Sequence, residues 1–276
     1  MKFLKKLFHF YVFSNLHVAI AGFSLTRITE ISYGIDNCFA SLFVALSIVL
    51  SYNFIRYFEI KTDRLAWFSD WFNTNFIKIK ILFVMSILGL LFLILNGYVS
   101  IIAMLFVIPF GIMAFFYVIP LFRMGEIDVS FRNLPYVKIF SISIAWAGVT
   151  AIFPIVNYGF ELQIVDYLAF ISRFLFVFSI TLPFDIRDVH TDKNQLKTIP
   201  QIFGINAAKM IGAVSMVLII LLTYLVNESF PIDIILICIL TILFLIFASP
   251  KRNIFYSSFF VESIPIIWLI LITYFS

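Results

Sequence analysis

The sequence predicts an all-α, polytopic membrane bundle, and three observations carry that prediction. Hydrophobic residues make up 63% of the chain and charged residues only 12%, against about half and a quarter in soluble domains. About nine stretches are apolar over a near-spanning length. The basic residues fall almost entirely on alternate connections between those stretches. Residues 1–276 are read as a single membrane domain.

The first span is expected at about 8–26, behind Lys2, Lys5 and Lys6. Ala19-Ile20-Ala21 looks like a signal cleavage site. The apolar run continues to Leu25, however, and Asn15 and His17 suit a signal core badly, so an uncleaved span is expected. The second span, about 36–57, follows the breaker Ser32-Tyr33-Gly34. The third and fourth, about 78–96 and 98–121, are separated only by Asn96-Gly97, which predicts a tight helical hairpin. The fifth and sixth, about 137–156 and 163–184, flank Asn157-Tyr158-Gly159. The last three are expected at about 205–226, 231–248 and 254–275, the final pair divided by Pro250.

Of the 19 Lys and Arg residues, all but Arg27 and Arg173 fall at one side of this arrangement. The positive-inside rule makes that side cytoplasmic and puts the N-terminus there. The location expected is a bacterial inner membrane. The net charge of +4 is spread over short loops, which argues against nucleic acid as a partner. Cys38 and Cys238 both fall in apolar segments and read as packing residues. Two inner loops, about 54–77 and 185–204, are longer and more polar than the others, and a third, about 122–136, is basic. Function is expected where the three converge.

The most distinctive stretch is Asp185-Ile-Arg187-Asp188-Val-His-Thr-Asp192, continuing to Lys193, Lys197, Thr198-Ile-Pro200 and Gly204. Acids at i, i+3 and i+7 would share one helical face, where they repel unless a cation joins them. Hard oxygen ligands suit Mg²⁺, which commonly shares its sites with a phosphate. Asp-x-x-Asp-x-x-x-Asp with a basic residue and Thr-x-Pro behind it resembles the second aspartate-rich motif of the UbiA-type intramembrane prenyltransferases. The span count and the spacing of the two polar loops are similar to that family as well.

The resemblance implies helices around a central cavity and transfer of a prenyl group from a prenyl diphosphate to a small lipophilic or aromatic acceptor, with quinone biosynthesis one setting and haem, chlorophyll-like and lipid acceptors equally compatible. It implies Asp185, Asp188 and Asp192 as catalytic Mg²⁺ ligands. Arg187 and Lys193 would stand beside the substrate. The family's first motif maps onto 53–61, where Asn53 matches but Phe54, Tyr57 and Lys61 replace the three expected acids. The site would then bind one Mg²⁺ instead of two, or place a cation such as Arg56 or Lys61 where a metal sits, since a fixed cation neutralises phosphate. From the third loop, Arg132 and Lys138 are expected to meet diphosphate oxygens.

Arg173, Glu262 and His17 lie within spans, and Asp166 near the end of one. Charges at membrane depth face a cavity or pair with each other. Arg173 with Asp166, or Arg173 with Glu262, are the pairs expected, and His17 with Asn15 are candidates for the cavity wall. The 36 Phe residues read as ordinary lipid-facing and packing groups. Two rivals stand beside the transferase. One is a degenerate relative that binds a lipid or partner membrane protein without turnover. The other is a transporter, against which the one-sided distribution of polar groups speaks.

Overall fold

The computed structural model describes residues 2–61, 66–120, 122–124, 127–130, 134, 137–191 and 196–275, the side chains of 2, 66, 67, 122–124, 127–129 and 227 excepted. The described helices are α1 (Lys2–Phe13), α2 (Leu16–Ser32), α3 (Phe39–Lys61), α4 (Ala66–Leu95), α5 (Ile101–Val118) and α6 (Val137–Ala147). They continue as α7 (Phe153–Asn157), α8 (Ile164–Arg187), α9 (Ile199–Phe203), α10 (Ile205–Asn227), α11 (Ile232–Phe247) and α12 (Ile264–Phe275). Two π-helical turns, Gly148–Ile152 and Tyr256–Val261, interrupt the α6–α7 and α12 spans. A small antiparallel hairpin pairs β1 (Phe122–Met124) with β2 (Ile127–Val129).

The protein is an all-α integral membrane bundle in every part that crosses. Seven described helical segments are long and apolar enough to span a bilayer, and α1 with α2 would make an eighth, bent by 55°. The 16-residue α11 covers about 24 Å at 1.5 Å per residue, short of a hydrocarbon core of about 30 Å. Helices thus occupy all nine expected stretches, with seven or eight meeting the length test.

The bend between α1 and α2 has a local cause. Asn15 adopts the left-handed conformation at φ 66°, which Asn tolerates better than most residues. The expected hairpin at Asn96-Gly97 forms between α4 and α5, with Gly97 at φ +73°. Ser100 then caps α5 by accepting from the Ala103 amide at 3.1 Å.

α2 is the axis of the bundle. Val18 and Ala19 pack with Val44, Ile48 and Phe153. Leu25 and Ile28 pack with Phe176, Ile264 and Trp268. A helix surrounded on all sides must satisfy its polar groups internally, and α2 does so. Buried Glu30 accepts from the Ser41 hydroxyl at 2.6 Å and pairs with Arg27 at 3.2 Å. Arg27 also donates to Ile35 O and Asp36 O, fastening the 33–37 connection. At the same end, burial, followed by the Glu30 charge, pushes the Tyr158 hydroxyl up to about 12. Tyr33 donates to Asp166 at 2.5 Å; burial first, and this hydrogen bond second, raise its pKa well above the usual tyrosine value.

Candidate functional site

α3, α5 and α6 do not close on each other. They enclose a cavity of about 470 Å³ that the end of α8 and the π turn before α12 complete. α3 contributes a stripe at helical spacing, from Val44 through Ile48, Tyr52 and Arg56 to Glu59. Fifteen helical rises from Val44 to Glu59 make that stripe about 22 Å long. Facing it are Phe110 and Ala114 of α5 and Ile142, Ala145 and Trp146 of α6. Small side chains keep the space open. A Cβ on Gly111 would meet nothing within 4 Å. A Cβ on Gly148 would lie 2.2 Å from the Phe110 ring, so the π turn reaches α5 only because that residue is glycine.

The cavity is apolar along most of α3 and charged at one end. Arg56, Glu59, Arg187, Asp188 and Glu262 all line that end. Arg187 is held from three directions. Its Nε and Nη2 donate to the two Asp188 oxygens at 2.7 Å each, and its Nη1 donates to the Ser257 hydroxyl at 2.6 Å. The π turn matters here, because it carries Ser257 and delivers Glu262 immediately after its last residue. π turns recur at functional sites because they shift the register of the side chains behind them. Arg56 lies 4.9 Å over the Phe68 ring, and among the described residues no acceptor takes its guanidinium. Part way along the cavity, the Trp146 indole donates to the Tyr52 hydroxyl at 3.1 Å.

The helix expected to carry the acids on one face ends between Asp185 and Asp188. α8 ends at Arg187 and Asp188 is its C-cap at φ −90°, ψ 5°. The chain then turns, with Thr191 N–H donating to Asp188 O at 3.0 Å. Asp192 lies outside the described residues, as do Arg132 and Lys193. Asp185 is 1% exposed, and its Oδ1 stands 2.9 Å from Lys138 Nζ. Asp188 is taken by Arg187. Among the described residues no group of three or more His, Cys, Asp or Glu side chains is disposed to hold a metal ion. Mg²⁺ demands near-octahedral oxygen ligation at about 2.1 Å. Two carboxylates already matched by Lys138 and Arg187 do not, by themselves, fit it.

Arg56 and Arg187 therefore sit at the cavity, whereas Lys138 meets Asp185 and neither lines it. Asn53 has a different place. Its Oδ1 accepts from Asn15 at 3.1 Å, and its Nδ2 donates to Ser14 O and Val49 O at 3.0 and 2.8 Å. It clasps the α1–α2 bend to α3. His17 also lies outside the cavity wall, bonded to the Tyr11 hydroxyl at 2.8 Å and to Phe259 O at 2.9 Å. Arg173 donates to Leu25 O at 2.6 Å and rests on the Trp268 ring, so it joins neither Asp166 nor Glu262. The Thr198-x-Pro200 tail begins α9: Thr198 is the N-cap, its N–H donates to Gln201 Oε1 at 3.0 Å, and Pro200 lies in the first turn.

Sequence reasoning placed Glu262 in a span but not in this cavity, and it missed Tyr52, Trp146 and Ser257. The legible signal was an acid in the last span. Its position depends on the π turn, which no periodicity announces. No family model matches the chain, and no curated protein or solved structure matches it significantly.

Proposed function

We propose that this protein is an intramembrane prenyltransferase of UbiA type, moving a prenyl group from a prenyl diphosphate to an aromatic, lipophilic acceptor. The observation that carries this reading is the cavity itself: a long apolar channel along α3 that ends in Arg56 and Arg187. A lipid with an anionic head has the same two-part character. Apolar walls take the chain, and guanidinium groups offset charge that builds on a departing diphosphate in a water-poor site. The similarity of 185–200 to the second aspartate-rich motif supports the same class. The basic end of the bundle would then face the cytoplasm, with the N-terminus on that side, in a bacterial inner membrane.

The chain's own residues provide binding, charge compensation and exclusion of water. A second reading, lipid binding without turnover, is favoured by one observation: both described acids of the 185–188 segment are matched by Lys138 and Arg187.

The test is product formation in membranes carrying the protein, given tritiated geranylgeranyl diphosphate and a panel of phenolic and quinol acceptors. The transferase reading expects a labelled lipid that disappears in Gly111→Phe, which fills the channel. Absence of product with every acceptor, together with retained binding of the diphosphate, would establish the second reading instead. Loss of turnover on chelation would show that transfer needs a divalent cation.

A further inference from the structure

Arg56 and Glu262 line one cavity from two different helical segments. Each acts electrostatically on the other. Yet among the described residues they form no ion pair or hydrogen bond, with each other or elsewhere. Bringing a guanidinium and a carboxylate together in an apolar space would satisfy both at once. Holding them apart leaves up to five N–H donors on Arg56 unspent. Arg187 points the same way. Asp188 and Ser257 fix its plane and use three of its five N–H groups. Tyr52 accepts from Trp146 and keeps its own hydroxyl proton.

The unspent groups at this end are thus mainly donors, and the two largest are planar forks. That geometry suits the oxygens of a phosphoryl group, which guanidinium binds through paired hydrogen bonds without a metal. The remaining acids are accounted for. Asp188 is taken by Arg187, and Glu59, itself buried, is not without a partner of its own. Glu262 is left as the one that balances the arginines through space.

We propose that the charged end of the cavity is a metal-independent phosphoryl site, in which Arg56 and Arg187 grip the head of a phosphorylated lipid and Glu262 is the resident counter-charge that the head displaces. This rests on reading the cavity as a lipid site, not on transfer chemistry. It predicts something a metal-bridged site would not: removing the Glu262 charge strengthens binding. The low dielectric of the cavity makes both arginine contacts and the Glu262 repulsion strong.

The experiment is equilibrium binding to the full-length protein in nanodiscs, with four probes: geranylgeranyl diphosphate, geranylgeraniol, inorganic pyrophosphate and dioleoyl phosphatidic acid. Geranylgeranyl diphosphate is expected to bind equally well in Mg²⁺ and in EDTA. The alcohol and Arg56→Gln should each weaken binding roughly ten- to hundred-fold, the scale of one or two charge-assisted hydrogen bonds. Arg56→Lys should keep part of the affinity, which separates lost charge from lost fold. Glu262→Gln should tighten binding. Phosphatidic acid binding as tightly as the prenyl diphosphate would identify a phospholipid as the source of the same head group. Pyrophosphate alone should bind weakly, because the channel contributes. Binding abolished by EDTA, or weakened by Glu262→Gln as by Arg56→Gln, would overturn the proposal. Binding with no labelled product sinks only the transferase reading, whereas turnover that requires Mg²⁺ sinks this one.

Discussion

Lys138 and Asp185 illustrate how a residue's neighbours decide its role. Asp185 is buried at the end of α8, and its Oδ1 lies 2.9 Å from the Lys138 ammonium. Breaking such a buried pair by removing one partner typically costs about 3–5 kcal/mol. Lys138→Met should therefore lower the thermal midpoint of the detergent-solubilised protein sharply. The double change Lys138→Met with Asp185→Leu should recover much of the loss, since apolar groups replace buried pairs at little cost. If the single and double variants unfold together, the pair is not structural. Both residues were visible in the sequence as candidates for a ligand site, but their mutual contact was not. It depends on how the first turn of α6 meets the last turn of α8, which no local pattern encodes. Arg56 was legible for a different reason: it lies in 53–61, where the family's first motif maps and a cation was expected in place of a metal.

At the scale of elements, what was readable followed from local rules and what was not followed from breaks in them. The α4–α5 hairpin formed where Asn96-Gly97 stood, because glycine there takes a positive φ. The single expected first span became two helices, because Asn15 turned left-handed and Asn53 of α3 clasped the bend. The shared face of Asp185, Asp188 and Asp192 presumed a helix that in fact stops at Arg187. The two π turns had no sequence signature, yet one places Glu262 and Ser257 and the other lets α6 approach α5. Gly148 tests that last point. In Gly148→Val the side chain would meet Phe110 and drive it into the channel. Lipid binding should fall several-fold while the helical content by circular dichroism stays unchanged. Unaltered binding would mean that Phe110 yields away from the cavity instead.

The whole molecule is organised around α2, with the cavity on one flank, between α3, α5 and α6, and a dense core on the other. Composition alone made the membrane bundle legible, and basic-residue asymmetry separated its two ends. Neither could locate a channel, which depends on helices that fail to close on one another. Its length and its single charged end give the protein its reading as a handler of lipids with anionic heads. The most direct test is photolabelling with a benzophenone-tagged prenyl diphosphate in native membranes, followed by mass-spectrometric mapping of the adducts. The channel predicts adducts on α5 at 107–117 and on α6 and the π turn behind it at 142–149, suppressed by excess unlabelled geranylgeranyl diphosphate and absent in Gly111→Phe. Adducts confined to outward-facing residues such as Leu88, Leu91 and Leu105, with no competition, would contradict it.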